Sequence, residues 1–228
     1  MEESRNLRNF SISLSDLEKI QEEVAKRVRE KRVKKVSKIC GVDVHFFENV
    51  ANCCAVILDA KEFEIIEKKV VIEIVKFPYI PGFLSFREGA IMIKAIKSLE
   101  EKFDVIIVDG NGKLHPRKCG LATHIGVTLQ KPTIGFAKEL LCGELRELPK
   151  KYGEYKEIFL GEEIVGAAVK NTKNAKPVYV SVGNLITLED AIRIVLECSV
   201  NRIPEPIRMA HKLSKEFLPK NLKDLGSV

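Results

Sequence analysis

The chain has 228 residues, 45% hydrophobic and 31% charged, which is enough for one domain with a full core. No apolar run approaches the roughly 20 residues that a membrane-spanning helix needs, and Met1-Glu2-Glu3-Ser4-Arg5 lacks the apolar stretch of a secretory leader. A cytoplasmic protein without membrane contact is expected, and its net charge of +6 permits a polyanionic partner without specifying one.

Residues 15–36 have helical spacing. Ser15 can cap the segment with Glu18 three residues on, and Leu17, Ile20, Val24 and Val28 form an apolar stripe. Its other face carries Lys26, Arg27, Arg29, Lys31, Arg32, Lys34 and Lys35. A solvated face and a phosphate-contacting face both explain that run. Three Val- and Ile-rich segments follow near 38–47, 51–59 and 63–76, in the manner of an antiparallel meander. The Pro-rich stretch 78–82 breaks it, and a helix over 85–102 is expected, capped by Ser85 with Glu88 completing a capping box.

A strand at 104–109 runs into the turn Asp109-Gly110-Asn111-Gly112. A helix over 119–130, a strand over 131–137 and further strands within 155–170 and 177–182 come next. Thr187 caps a helix to about residue 198, and a last helix near 205–217 precedes a polar tail over 218–228. Residues 1–228 show no repeat and no linker, so one domain is expected: an α/β fold, a mixed sheet with helices on both faces.

Six cysteines, Cys40, Cys53, Cys54, Cys119, Cys142 and Cys198, form no C-x-x-C pair, which speaks against zinc and for small buried side chains in a reducing compartment. Acidic residues carry more information. Asp43 and Asp109 each end or interrupt an apolar strand, where a carboxylate is costly unless a positive group meets it. Each has a plain structural explanation: backbone N–H groups for Asp43, turn chemistry for Asp109, a helix cap for Glu88. Together they suit Mg²⁺ or Mn²⁺, which take oxygen ligands. Two such ions roughly 3.5–4 Å apart can hydrolyse a phosphodiester. Lys138 reads alone as a surface lysine, and His45, His115, His124 and His211 read alone as structural histidines.

Seven motifs stand in order along the chain: Gly41-Val42-Asp43; Pro78-Tyr79-Ile80-Pro81-Gly82-Phe83-Leu84-Ser85-Phe86-Arg87-Glu88; Val108-Asp109-Gly110-Asn111-Gly112; His115-Pro116-Arg117; Gly120-Leu121-Ala122-Thr123-His124-Ile125-Gly126-Val127; Gly135-Phe136-Ala137-Lys138; and Pro204-Glu205-Pro206-Ile207-Arg208-Met209-Ala210-His211. From about residue 12 to about residue 215 the chain closely resembles the endonuclease V (deoxyinosine 3′ endonuclease) family. The resemblance implies an RNase H-like fold and a Mg²⁺-dependent DNA repair enzyme. Such an enzyme cleaves the second phosphodiester bond 3′ of a deaminated adenine, leaving 3′-hydroxyl and 5′-phosphate ends. It further implies Asp43, Glu88 and Asp109 as metal carboxylates, with Mn²⁺ able to substitute. His211 is then an active-site residue near the metal, and Lys138 stabilises phosphate or orients water.

With that resemblance, Pro78, Tyr79, Ile80 and Pro81 read as a rigid aromatic wedge that fills the gap left by a flipped base; a Tyr packed beneath a loop is the structural alternative. Gly82, Leu84, Gly110, His115, Gly120 and Leu121 are expected to wall the base pocket, with glycines letting backbone N–H groups approach. Arg117 and Lys118 face phosphate or lie on a solvated loop. The expected partner is deoxyinosine-containing DNA, and the expected state is a monomer. Two alternatives stand beside this: an endoribonuclease for inosine-containing RNA, and a damage-binding module without catalysis.

Overall fold

The computed structural model describes residues 12–216, so the expected tail over 218–228 lies outside the described residues. Strands β1 (Lys38–Phe47), β2 (Val50–Asp59) and β3 (Ile65–Ile74) form the expected antiparallel meander, with Gly41 opposite Val56 and Asp43 opposite Cys54. β2 is buried on both faces, which explains its near-continuous apolar run. β3 is an edge strand that alternates exposed and half-buried residues and carries Lys68, Lys69 and Glu73, charges suited to an unpaired edge.

Helix α2 (Leu84–Lys97) then crosses over to β4 (Val105–Asp109), and α3 (Leu121–Leu129) crosses to β5 (Thr133–Ala137). β1, β4 and β5 are parallel neighbours. β6 (Tyr155–Leu160), β7 (Glu163–Val169) and β8 (Val178–Asn184) add antiparallel strands, giving one eight-stranded mixed sheet ordered β3-β2-β1-β4-β5-β8-β7-β6. Cys40, Val42, Ile106 and Val108 pack against Ile91, Met92 and Ala95 of α2 and Ile125 of α3. On the opposite face Ile39, Val105 and Ile107 join Ile194 and Val195 of α4 (Leu188–Glu197) and Ile207 of α5 (Glu205–Glu216). Each such fully buried side chain contributes about 1.5–3 kcal/mol over an exposed one. Thr187 caps α4 as expected, its hydroxyl accepting from the Asp190 N–H.

Two expectations fail locally. The first helix, α1, covers Leu14–Ala25 rather than 15–36, and its cap is Ser13, reciprocally bonded with Asp16 in a capping box. Past Ala25 the like charges Arg27, Lys31 and Lys35 would stack four apart on a helix and repel. Tertiary bonds hold the chain extended instead: the Arg29 N–H donates to Asn184 Oδ1 at 3.0 Å and the Val33 N–H to Asp190 Oδ2 at 2.9 Å. The second failure is the Ser85–Glu88 capping box. α2 begins at Leu84 with Phe83 as its N-cap and no side-chain cap bond, and it ends at Lys97 rather than 102. Ser85 Oγ is buried without a partner, because Glu88 is directed elsewhere.

Candidate active site

The register Val42↔Val108 on parallel strands places the next residues, Asp43 and Asp109, side by side. Period two puts both on the sheet face that α5 covers. Asp43 is 7% exposed. His211 Nδ1 lies 2.8 Å from its Oδ2, and the Ser214 hydroxyl lies 3.3 Å from the same atom. Asp109 meets Lys138, just past the end of β5, with Nζ to Oδ2 at 3.3 Å. Glu88 comes from α2 in the other helical layer and still feels both aspartates. Burial, then the charge of Asp43, push its carboxyl up to about 8, with Arg87 opposing and Asp109 adding to the rise. Burial also raises the Asp109 carboxyl, against the pull of Lys138 and with help from Asp43.

Three carboxyls that raise one another lack positive charge, and every acidic donor among them is a hard oxygen. That donor set fits Mg²⁺ or Mn²⁺. Among the described residues no three acidic, histidine or cysteine side chains form a ready-made cage. Asp43 turns to His211 and Asp109 to Lys138, so the protein's own cations partly balance the cluster.

Beside this cluster is a cavity of about 180 Å³. All six residues expected from sequence line it: Gly82, Leu84, Gly110, His115, Gly120 and Leu121. Tyr79 stands at its edge, 66% exposed, whereas the next residue, Ile80, is buried with Leu17 and Phe83. The loop Pro78-Tyr79-Ile80-Pro81 is thus anchored by Ile80 and presents Tyr79 outward. Gly110 directly follows Asp109, and Leu84 lies one helical turn before Glu88, so the pocket and the carboxylates share walls.

Sequence reasoning missed four further wall residues: Gln21, Ser85, Asn111 and Leu141. Gln21 had a legible signal, a polar residue four positions after Leu17 on the buried stripe of α1. Its Nε2 donates to the carbonyls of Gly82 at 3.0 Å and Cys119 at 3.2 Å, while its Oε1 accepts from Arg117 Nε at 2.6 Å. His115 joins the same carbonyl. The Arg117 N–H donates to its Nδ1 at 3.2 Å, so Nε2 carries the hydrogen aimed at Gly82 O, 3.0 Å away. Burial holds the imidazole neutral, with its pKa lowered to about 4.

Arg117 and Lys118 do not present free cations to phosphate. Arg117 donates to Gly82 O at 3.1 Å and Glu18 Oε1 at 3.2 Å, and its guanidinium lies 4.5 Å from the Phe83 ring centre. Lys118 is paired with Glu163. Both charges are engaged within the protein because the turn after His115 folds back onto α1 and β7.

The Endonuclease V family's sequence model matches residues 18–212. The chain is 42% identical to endonuclease V of Dictyoglomus thermophilum over 207 residues, 90% of this chain and 91% of that one. It is 39% identical to endonuclease V of Archaeoglobus fulgidus over 211 residues, 91% of this chain and 94% of that one. Among solved structures, endonuclease V of Streptomyces avermitilis superposes with a TM-score of 0.84 at 32% identity, covering 90% of this chain and 92% of that one. Endonuclease V of Ciona intestinalis, solved with a 24mer DNA containing an inosine followed by a ribo-adenosine, gives 0.80 at 30% identity, covering 89% and 96%. The mixed sheet and its flanking helices are therefore the RNase H-like fold expected from sequence, and the chain belongs to the endonuclease V family of nucleases.

Proposed function

We propose that the protein is a Mg²⁺-dependent DNA repair endonuclease that accepts a flipped hypoxanthine in the 180 Å³ pocket and hydrolyses the second phosphodiester bond 3′ to it. One observation carries this reading: three mutually raised carboxyls adjoin a glycine-walled pocket with an exposed tyrosine at its edge. The Ciona relative's complex with inosine-containing DNA supports the same substrate class.

Asp43, Glu88 and Asp109 would hold the cation, which supplies charge for the scissile phosphate and for the attacking water. The protein's own groups do the rest. His211 and Ser214 fix the orientation of the Asp43 carboxylate. Lys138, beside Asp109, offers a positive charge to the phosphate or orients the water. Water attack on phosphorus with departure of the 3′ oxygen leaves a 3′-hydroxyl and a 5′-phosphate. Tyr79 fills the gap in the stack that the flipped base leaves. In the pocket, a backbone N–H aimed at the 6-oxo group rejects adenine, and close packing near C2 rejects guanine.

The test is an oligonucleotide with one deoxyinosine, with and without Mg²⁺. A nick one nucleotide beyond the lesion is expected, and Asp43→Asn should abolish it while the lesion is still bound. No Mg²⁺-dependent nick would reject the reading; nicking by Asp43→Asn would reject the metal assignment. Matched inosine RNA strands run in parallel separate a deoxyribonuclease from an endoribonuclease.

A further inference from the structure

The segment between α1 and β1 holds the molecule's excess charge. Residues 26–38 contain eight Lys and Arg against a single Glu, a net +7, while the whole chain carries +6. The one acid, Glu30, is already paired with Lys113 at 2.9 Å. At the ends and middle, Lys26 pairs with Glu23, Arg32 with Asp190 and Lys38 with Glu101. That leaves Arg27, Arg29, Lys31, Lys34 and Lys35 exposed and without an ion-pair partner among the described residues.

These five cations sit on a backbone that is held extended, neither helix nor strand. Val28, Val33 and Val36 pack inward on the core beneath β4 and β8. The Leu185 N–H donates to Arg29 O at 2.6 Å, Arg193 Nη2 donates to Val33 O at 2.7 Å, and the Ser37 N–H donates to Asp104 Oδ2 at 2.7 Å. The strap therefore starts from α1, whose Gln21 walls the base pocket, and ends beside Asp104 at the amino end of β4, opposite the catalytic end marked by Asp109. An extended run of this length reaches at most about 35 Å, close to one turn of duplex DNA.

We propose that this strap is a second nucleic-acid contact, binding phosphates of the substrate's flank away from the scissile bond. The inference rests on the nuclease reading above and adds a surface that reads no sequence. A polyanion that already enters at the pocket continues along a line of unpaired, pre-positioned cations. Phosphate binding there needs no ordering of the backbone, because the backbone is fixed. An anionic membrane fits less well: the strap's apolar residues face the core and cannot enter a bilayer.

The test compares the wild-type chain with a variant carrying R27Q, R29Q, K31Q, K34Q and K35Q, and with one in which the same five positions exchange Arg and Lys. Binding is measured in chelator against salt on lesion-free and deoxyinosine duplexes of about 40 base pairs, and on duplexes of about 12. The Gln variant should bind both long duplexes about tenfold or more weakly. Its slope of log affinity against log salt should be shallower by about 3–4, near 0.9 per lost phosphate contact. On the short duplexes the difference should shrink, and the exchange variant should behave as wild type. Equal affinity and slope for Gln variant and wild type on the long duplexes would overturn the proposal. So would loss of binding to phosphatidylserine vesicles with duplex binding unchanged. Should the fivefold variant not fold, K34Q with K35Q carries the same test, with a slope change of about 1–2. Lesion-free duplex keeps this result separate from lesion recognition, since a failure to nick deoxyinosine leaves the strap measurement intact.

Discussion

Gly41 and Pro206 touch backbone to backbone: a Cβ on Gly41 would sit 2.1 Å from the Pro206 carbonyl oxygen. This close approach seats the first turn of α5 against β1, and the same helix carries His211 to Asp43 one turn later. Gly41→Ala must push α5 outward. It is expected to destabilise the fold by about 1–3 kcal/mol, as overpacking does. It should also slow nicking, because His211 loses its reach. Urea unfolding and single-turnover nicking check both, and a variant with wild-type stability would contradict the contact.

Gln21 joins three elements with one side chain: the wedge loop through Gly82 O, the pocket turn through Cys119 O, and Arg117. Gln21→Leu keeps its bulk but leaves the Cys119 carbonyl and Arg117 Nε without these partners. A loss of about 1–3 kcal/mol is expected. The preference for deoxyinosine over undamaged DNA should fall with it, because both pocket walls lose a common tie. Chemical denaturation and competition binding measure the two effects.

The legible parts of this fold were the ones set by local pattern. β4 is an apolar run closed by Asp109, α4 is announced by Thr187 and two acids, and the six pocket residues fall on glycine-rich turns. What stayed illegible depends on partners far away in the chain. Helical spacing through Val28 predicted a longer α1, but Asn184 and Asp190, more than 150 residues on, hold the strap extended. Ser85 and Glu88 match a capping box by spacing, yet Glu88 responds to the aspartates on β1 and β4 instead. Arg117 looked available for phosphate because its partners Gln21 and Glu18 lie 96 and 99 residues before it.

Glu88 gives the metal-free protein an unusual pH dependence. Its carboxyl sits at about 8 in the fold against 4.5 ordinarily, so the folded chain keeps a proton that the unfolded chain releases. The associated stability is fully present below about 4.5 and is lost as pH rises to about 8. Glu88→Gln removes that loss. In chelator above pH 8 it is expected to be more stable than wild type by about 1–3 kcal/mol while being inactive. Saturating Mg²⁺ should narrow the gap by favouring the ionised carboxylate. Parallel pH series of urea melts decide it, and a Glu88→Gln variant less stable than wild type at high pH would contradict the burial of charge.

Tyr79 and Ile80 divide one loop into a working residue and an anchoring one. Tyr79 is 66% exposed and Ile80 is 2% exposed. Tyr79→Ala removes little buried surface, so unfolding should change by less than about 0.5 kcal/mol. Lesion binding should nevertheless weaken by about 1–3 kcal/mol, the range of lost aromatic–base stacking. Tyr79→Phe keeps the ring and should bind nearly as wild type, which separates stacking from a hydroxyl contact. Ile80→Ala reverses the pattern: a stability loss of about 2–5 kcal/mol from the emptied core site, with binding weakened only as far as the loop loosens. If Tyr79→Ala destabilised the fold as much as Ile80→Ala, the ring would be a packing residue after all, and the base gap would need another filler.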